Sequence, residues 1–494
     1  MIGSTSVLAP VALIAVMAAA LASAGSAAPA APKSGPAKAT DHPNIVFVLT
    51  DDLSWNLLKY MPHVQQMRND GETFSRYFVT DSLCCPSRSS IFSGRLPHNT
   101  GVFTNNPPDG GFEVFHDRGE ESDTFATAIS GIPGAHYQTA MMGKYLNGYD
   151  PSSLYVPPGW SEWDVAGNGY KEFNYSLNEN GQLVSYGSAP SDYLTDVMAN
   201  KGVGFINKAT QAGDPFLLEI ATFAPHAPAT PAPRDAQDFP GLKVPRTPAF
   251  DVENTNPPAW LAGRPPLSRR QIRTLNQHFR NRARSVEAVD DLIGRIETTL
   301  QKRGVADDTY VVFSSDNGFH MGDHRLTQGK MTAFDTDIGV PLIVAGPGVP
   351  AGRTVGKLTE NVDLRPTFSR LAGASVPSDV DGHSLVPLLN GGSGGVWRSA
   401  TLVEHHGPDQ NQSDPDFQPR SSGNPTSYEA MRKQNTIYVE YKNGDREYYD
   451  LLRDPYELDN TYGDLSAAKQ AALHQTLAKL ESCSGQSCWV TGGG

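Results

Sequence analysis

The sequence predicts an α/β fold: a large, mostly parallel sheet flanked by helices, then a small C-terminal α+β domain of antiparallel sheet plus helix. Three observations predict it. Compact apolar runs recur along most of the chain. Helical patterns lie between them, and that alternation argues a parallel sheet covered on both faces. Near the C terminus the pattern changes to short strands around Asn443-Gly444, a strong hairpin turn signal.

Taken in order, residues 1–28 read as a signal peptide. The stretch 7–22 is an apolar run of Ala, Val and Leu, and Ala22-Ser23-Ala24 or Ser26-Ala27-Ala28 could be cut. The run is too short and too Ala-rich for a membrane span. It departs from the usual leader in having no Lys or Arg before it. Residues 29–42, rich in Ala, Pro and Lys, read as a linker. The main domain is expected over 43–396, with strands at 44–50, 138–142, 216–222, 310–314 and 341–345. Its clearest helix runs from an N-cap at Ser268 to about Lys302, before Gly304. The C-terminal domain, 397–494, is expected to hold strands at 401–404, 436–441 and 447–451 and a helix over 464–482. Residues 407–427, rich in Pro, Ser, Asp, Asn and Gln, read as a long loop.

Composition narrows the function. The chain has 494 residues, 38% hydrophobic and 19% charged, so it can bury a sizeable core. A formal net charge of −13 argues against a nucleic-acid binder. It also repels long polyanions, so an anionic substrate needs local Lys and Arg to hold it. Apart from the leader, no segment is long and apolar enough to cross a bilayer, which predicts a secreted or periplasmic protein with no membrane partner.

Several strands are followed directly by polar residues: Asp51 and Asp52, Lys144, His226, and Asp316 with Asn317. In open α/β sheets ligands bind beyond the carboxyl ends of the strands, so these residues should converge on one edge. Asp51, Asp52, Asp316 and Asn317 offer hard oxygen ligands, which suit Ca²⁺ or Mg²⁺ rather than Zn²⁺. An Asp-Asp pair alone is usually a solvated turn. Two such sets after two strands, with a distinctive Cys motif between them, favour a metal.

That motif is Cys84-Cys85-Pro86-Ser87-Arg88, continuing to Gly94-Arg95. It closely resembles the Cys-x-Pro-Ser-Arg element of type I sulfatases. The resemblance implies an alkaline-phosphatase-like fold and a sulfuric ester hydrolase. It implies that Cys84 is oxidised to formylglycine (3-oxoalanine) by a formylglycine-generating enzyme. A gem-diol can attack sulfur with one oxygen, and deprotonation of the other hydroxyl then expels sulfate; a Ser would be left as a stable ester. It also implies one Ca²⁺ per chain, held by Asp51, Asp52, Cys84, Asp316 and Asn317. Arg88 would stabilise the hydrate, Lys144 would contact the sulfate, and His226 or Lys330 would protonate the departing oxygen. Arg95 would be structural. Many sulfatases carry a His two residues after the Lys; this chain has Leu146, with Asn147 the candidate replacement. His320 and His324 form a second tier. Tyr449-Asp450-Leu451 with Asp454-Pro455 and Asn460 also fits the family's C-terminal segment.

A Cys in an exported chain is most often half of a disulfide. Cys483 and Cys488 read as a local bridge, although sequence does not fix connectivity; Cys84 and Cys85 are adjacent and could each pair elsewhere. The motifs at 143–147, 157–160 and 192–196 are most similar to the N-acetylglucosamine-6-sulfatase and heparan-type branch. The expected substrate is thus a small aryl sulfate or a short-glycan sulfate ester, such as a sugar 6-sulfate. Two alternatives stand beside this: a formylglycine-dependent phosphonate or phosphate ester hydrolase, and a non-catalytic sulfated-glycan binder with Cys84 never oxidised.

Overall fold

The computed structural model describes residues 41–489, with Met1 and Gly3. The expected signal peptide and nearly all of the linker lie outside the described residues.

Ten strands form the main sheet: β1 (Asn44–Thr50), β2 (Glu72–Phe74), β3 (Gln138–Lys144), β4 (Glu162–Ala166), β5 (Ser176–Glu179), β6 (Gln182–Ser185), β7 (Phe216–Ala221), β8 (Thr309–Ser315), β9 (Leu342–Ala345) and β10 (Arg353–Val355). Their spatial order is β10-β2-β9-β8-β1-β7-β3-β4-β5-β6. The five central strands, β8-β1-β7-β3-β4, are all parallel. Antiparallel strands flank this block on both sides, so the sheet is mixed around a parallel centre. The run at 341–345 is a strand, but it pairs antiparallel to β8.

Both faces are buried, which is why β1 reads as an unbroken apolar run. Ile45, Phe47 and Leu49 face one core and Val46 and Val48 the other. Six of the helices matter here: α1 (Pro62–Asp70), α2 (Cys84–Ser93), α3 (Leu194–Ala212), α4 (Arg269–Arg303), α5 (Leu364–Ala372) and α6 (Ala467–Leu480). Ile91 and Phe92 of α2 and Phe368 of α5 pack on the first face. Val64 and Met67 of α1, Phe205 and Ile206 of α3, and Phe279 and Val286 of α4 cover the second. Each large apolar side chain so buried contributes about 1.5–3 kcal/mol. Helix α4 begins where its sequence predicts: the Ser268 hydroxyl accepts from the Gln271 N–H, and Gly304 closes the helix at φ 71°.

The C-terminal sheet is antiparallel in the order β11 (Ala400–His405), β12 (Tyr428–Lys433), β13 (Thr436–Tyr441), β14 (Arg446–Asp450), with α6 packed on it. The sequence reading lacked β12, whose Tyr-Glu-Ala-Met-Arg-Lys mixes signals; the turn at 443–444 joins β13 to β14 as expected. Cys483 and Cys488 form a disulfide, while Cys84 and Cys85 are free and buried.

Candidate active site

Register places the polar residues together. Thr50 lies opposite Ser315, Leu49 opposite Ala221, and Ala221 opposite Gly143. The residues that follow these positions therefore leave one edge of the sheet. Asp52, at φ 66°, turns the chain sharply after β1. Its N–H donates to Asp316 Oδ1 at 3.1 Å, and its own carboxylate accepts from Asn317 Nδ2 at 2.7 Å. Gly143 permits the close approach of β3 to β7: at φ 95°, a Cβ there would lie 2.0 Å from the Ala221 carbonyl oxygen. Lys144 emerges directly after it.

Helix α2 supplies the centre. Cys84 is its first residue, preceded by extended Leu83. The Ser87 hydroxyl donates to the Asp316 carbonyl, and Asn361 donates to Ser87 Oγ at 2.9 Å, which locks α2 to the loop after β8. Cys84 Sγ then lies 3.2 Å from Asp51 Oδ1 and 2.8 Å from Lys330 Nζ. Lys330 also pairs with Asp52 at 2.7 Å, and Lys144 pairs with Asp51 at 2.6 Å. Arg88 Nε donates to Asp316 at 2.8 Å and its Nη1 to the Lys144 carbonyl at 2.9 Å. The remaining amino group of Arg88 is buried without a partner. His226, flanked by cis prolyl bonds at Pro225 and Pro228, reaches in from the loop after β7. None of these residues is more than 3% exposed.

The structure thus gathers Asp51, Asp52, Cys84, Arg88, Lys144, His226, Asp316, Asn317 and Lys330 into one buried cluster. The other sequence candidates go elsewhere. Arg95 pairs with Glu120, Asp123 and Asp379. Both ring nitrogens of His320 are used, by Asp337 at 2.9 Å and the Ser422 carbonyl at 2.7 Å. His324 bonds Asn254 and stacks on Phe334. Asn147 does belong to the cluster, through a partner the sequence reading did not anticipate.

That partner is Asp416, from the long loop between β11 and β12. One of its oxygens lies 2.6 Å from both Lys330 Nζ and His226 Nε2, and 3.8 Å from Cys84 Sγ. The other accepts from Asn105 Nδ2 at 2.8 Å and Asn147 Nδ2 at 3.0 Å. Tyr170 was also missed. Its ring lies 5.1 Å from Lys144 Nζ and 4.5 Å from the His226 ring. Nothing in the surrounding sequence distinguishes Asp416 from the other polar residues of its loop, or Tyr170 from other tyrosines.

The charges compensate one another. Burial alone would lower the His226 imidazolium, but Asp52, Asp51 and Asp416 outweigh it and raise its pKa. Its two nitrogens both face acceptors, Asp416 and the Ala227 carbonyl, which requires the doubly protonated ring. Burial would raise the Asp416 carboxyl, yet Lys330, His226 and Lys144 hold it well below the usual range. Burial, with Asp416 and Asp51, pushes the Cys84 thiol well up. Four acidic side chains (Asp51, Asp52, Asp316, Asp416) thus face Arg88, Lys144, His226 and Lys330, with a fifth basic group, Arg282, bonded to the Asp52 backbone carbonyl behind them.

The ligand atoms of Asp51, Asp52, Cys84 and Asp316 all lie within 4.8 Å of one another. Asn317 Oδ1 beside them is a buried acceptor with no hydrogen-bond partner. A buried orphan acceptor is costly unless something satisfies it, and a hard cation would. This donor set fits a divalent ion.

Comparison with known proteins decides the lineage. The sulfatase family model matches residues 43–374, and the model described as "N-sulphoglucosamine sulphohydrolase, C-terminal" matches 322–483. The chain belongs to the sulfatase family. Members of this family are sulfuric ester hydrolases, generally dependent on formylglycine and a metal. This sulfatase is 34% identical to the N-acetylglucosamine-6-sulfatase of Capra hircus, over 92% of this chain and 86% of that protein. It is also 34% identical to the Homo sapiens enzyme of that name, over 93% and 88%. A solved structure of a protein with its substrate D-glucosamine-2-N,6-O-disulfate superposes with a TM-score of 0.75 at 23% identity. It covers 89% of this chain and 97% of that one, and shows the shared fold. Among the described residues no helix is long and apolar enough to cross a membrane.

Proposed function

We propose that this sulfatase hydrolyses the sulfate ester of a sugar, such as N-acetylglucosamine 6-sulfate, to the alcohol and inorganic sulfate. The observation that carries this reading is the position of Cys84: first in α2, in contact with Asp51 and Lys330, inside a buried cluster of alternating charge. The names of the relatives at 34% identity support the substrate class.

Cys84 is the residue to be matured to formylglycine by a generating enzyme, a group that supplies a hydrated aldehyde with a nucleophilic oxygen and a second hydroxyl for release. Asp51, Asp52, Asp316 and Asn317, with position 84, would hold Ca²⁺, which supplies positive charge against the sulfate oxygens. A divalent ion there would add positive charge beside Lys144 and Lys330, as an anionic ester needs.

The chain's own residues do the rest. Lys144 and Lys330 bind sulfate oxygens from their seats on Asp51 and Asp52. His226 Nε2 delivers its proton to the departing alcohol oxygen, and Nδ1, fixed on the Ala227 carbonyl, keeps the ring oriented. Arg88 aligns Asp316 and retains one free donor for the hydrate. Burial excludes bulk water, so each of these charges acts in a low dielectric.

The test is the mass of the peptide spanning Cys84 from native protein. Conversion of thiol to aldehyde lowers it by about 18 Da. An unmodified thiol in protein that turns over sulfate esters would refute the reading. Rates on an aryl sulfate and an aryl phosphonate separate this enzyme from a phosphonate hydrolase. Cys84→Ser should retain covalent sulfate after one turnover; steady multiple turnover would defeat the release step.

A further inference from the structure

We infer that Asp416 is a specificity-determining residue that selects sulfate esters whose alcohol carries free hydroxyl groups, and discriminates against esters lacking them or bearing a second anion nearby. The inference deepens the proposed function and rests on it.

Asp416 is a built position, not a drifting side chain. Its carboxylate is anchored on one oxygen by Asn105 and Asn147. Its backbone N–H donates to Asp414 Oδ1 at 2.9 Å, and its carbonyl accepts from Gln418 Nε2 at 3.0 Å. Asp414 is in turn held by Asn106. Asn424 closes the base of the loop through the carbonyls of Asp409 and Gln418. These contacts fix the carboxylate 3.8 Å from Cys84 Sγ, beside the reacting centre.

The other oxygen sits on Lys330 and His226, the two cations that a sulfate ester must engage. Once the ester takes them over, Asp416 remains clamped by the two amides, with one acceptor oxygen left facing a new anion. A buried carboxylate in that position requires a donor. Only the alcohol half of the substrate can bring one. A sugar supplies hydroxyl groups; a plain aryl group supplies none.

The neighbouring surface has the same chemistry. A cavity of about 230 Å³ opens beside Leu83 and Met331, next to Cys84 and Lys330 in sequence. Asn105, Asn106, Asp409, Asn411 and Asp414 line it; its two histidines, His405 and His406, are taken up by Asp81 and Asp109, and no Lys or Arg lines it. Amides and carboxylates suit a polyol ring. They oppose a second sulfate or a carboxylate on the sugar.

The experiment compares kcat/KM for N-acetylglucosamine 6-sulfate, glucosamine 2-N,6-O-disulfate and 4-nitrophenyl sulfate in the wild-type enzyme and in Asp416→Asn. Loss of a charge-assisted hydrogen bond should lower the value for N-acetylglucosamine 6-sulfate by about 10- to 100-fold. The value for 4-nitrophenyl sulfate should rise, because a repelling charge beside its sulfate is gone. The ratio of the two therefore falls at least tenfold, and the disulfate gains on the monosulfate. An equal fall on all three substrates means that Asp416 acts only by holding His226, Lys330 or the fold, and an equal rise means that it is a plug competing with sulfate; either result overturns the inference. Should Asp416→Asn fold poorly, the wild-type enzyme still answers. Deleting the sugar hydroxyls one at a time must cost about tenfold at one position, and a flat series overturns the inference. If wild-type protein with converted Cys84 cleaves none of the sulfates, the proposed function fails and not this selectivity.

Discussion

Lys330 joins three members of the site. It is wholly buried and touches Asp52, Asp416 and Cys84 Sγ at once. Its ammonium is held well above its ordinary pKa: burial opposes this, but Asp416, Asp52 and Cys84 outweigh the burial. Removing it breaks two buried ion pairs and leaves Asp52 and Asp416 to share His226. Breaking a buried pair in this way costs about 3–5 kcal/mol, far beyond a surface salt bridge. Lys330→Ala should therefore lower the urea unfolding free energy by about that amount, as well as abolish turnover. A loss below about 1 kcal/mol would show that the ammonium is not the partner these carboxylates depend on.

Asn317 poses the opposite case. Its amide nitrogen is fully used, on Asp52 and the Gly318 carbonyl, while its oxygen has no partner. If the proposed calcium site is as argued, Asn317→Ala should weaken binding of the ion while the sheet stays intact. The readout is the rise in melting temperature on titration with Ca²⁺, which follows the logarithm of free ion over Kd. The titration should shift to higher Ca²⁺ in the variant. An unshifted curve would remove Asn317 from the ligand set.

At the scale of elements, the site is a product of register. Gly143 and Lys144 illustrate it: the glycine lets β3 lie against Ala221, and the next residue then falls beside Asp51. Gly143→Ala combines a left-handed φ with a Cβ 2.0 Å from a backbone oxygen, so β3 must shift. It should cost at least about 2 kcal/mol and displace Lys144, so kcat/KM falls even in the folded fraction. Melting curves and active-site titration of the folded protein check both halves. The same logic explains what was legible in the sequence. Buried parallel strands are apolar on both faces, so β1, β3, β7 and β8 announce themselves, and the polar residues after them must converge. Helix α4 carries Ser268 and Gly304 at its ends, so its limits were readable. Strands β2, β5, β6 and β10 are three or four residues long and partly polar, too short for any period to register. Asp416 is invisible for a different reason. Its importance comes from partners 190 and 311 residues away, and no local pattern encodes such a meeting.

At the scale of the whole molecule, the C-terminal sheet has to be held against the main body, because the loop bearing Asp416 hangs from it. One tie is His98, in the short helix Pro97–Thr100. Its Nδ1 meets Glu404 of β11 at 2.8 Å, and its Nε2 meets the Cys483 carbonyl at 2.8 Å, beside the C-terminal disulfide. Both partners are acceptors, so the tie requires the imidazolium. Burial opposes the charge, but Glu404, the Cys483 carbonyl and Asp381 raise the pKa to about 9. The sign follows from linkage. The folded state binds the proton more tightly than the unfolded chain, whose His titrates near 6.5. The tie thus contributes fully below about pH 6.5 and is lost as pH rises through about 9. His98→Gln keeps a hydrogen-bonding group and removes the titration. The difference in melting temperature between wild type and variant should be largest at pH 6 and shrink steadily towards pH 9. A difference independent of pH would show that His98 acts there as a neutral spacer, and that the C-terminal sheet is held by its apolar contacts alone.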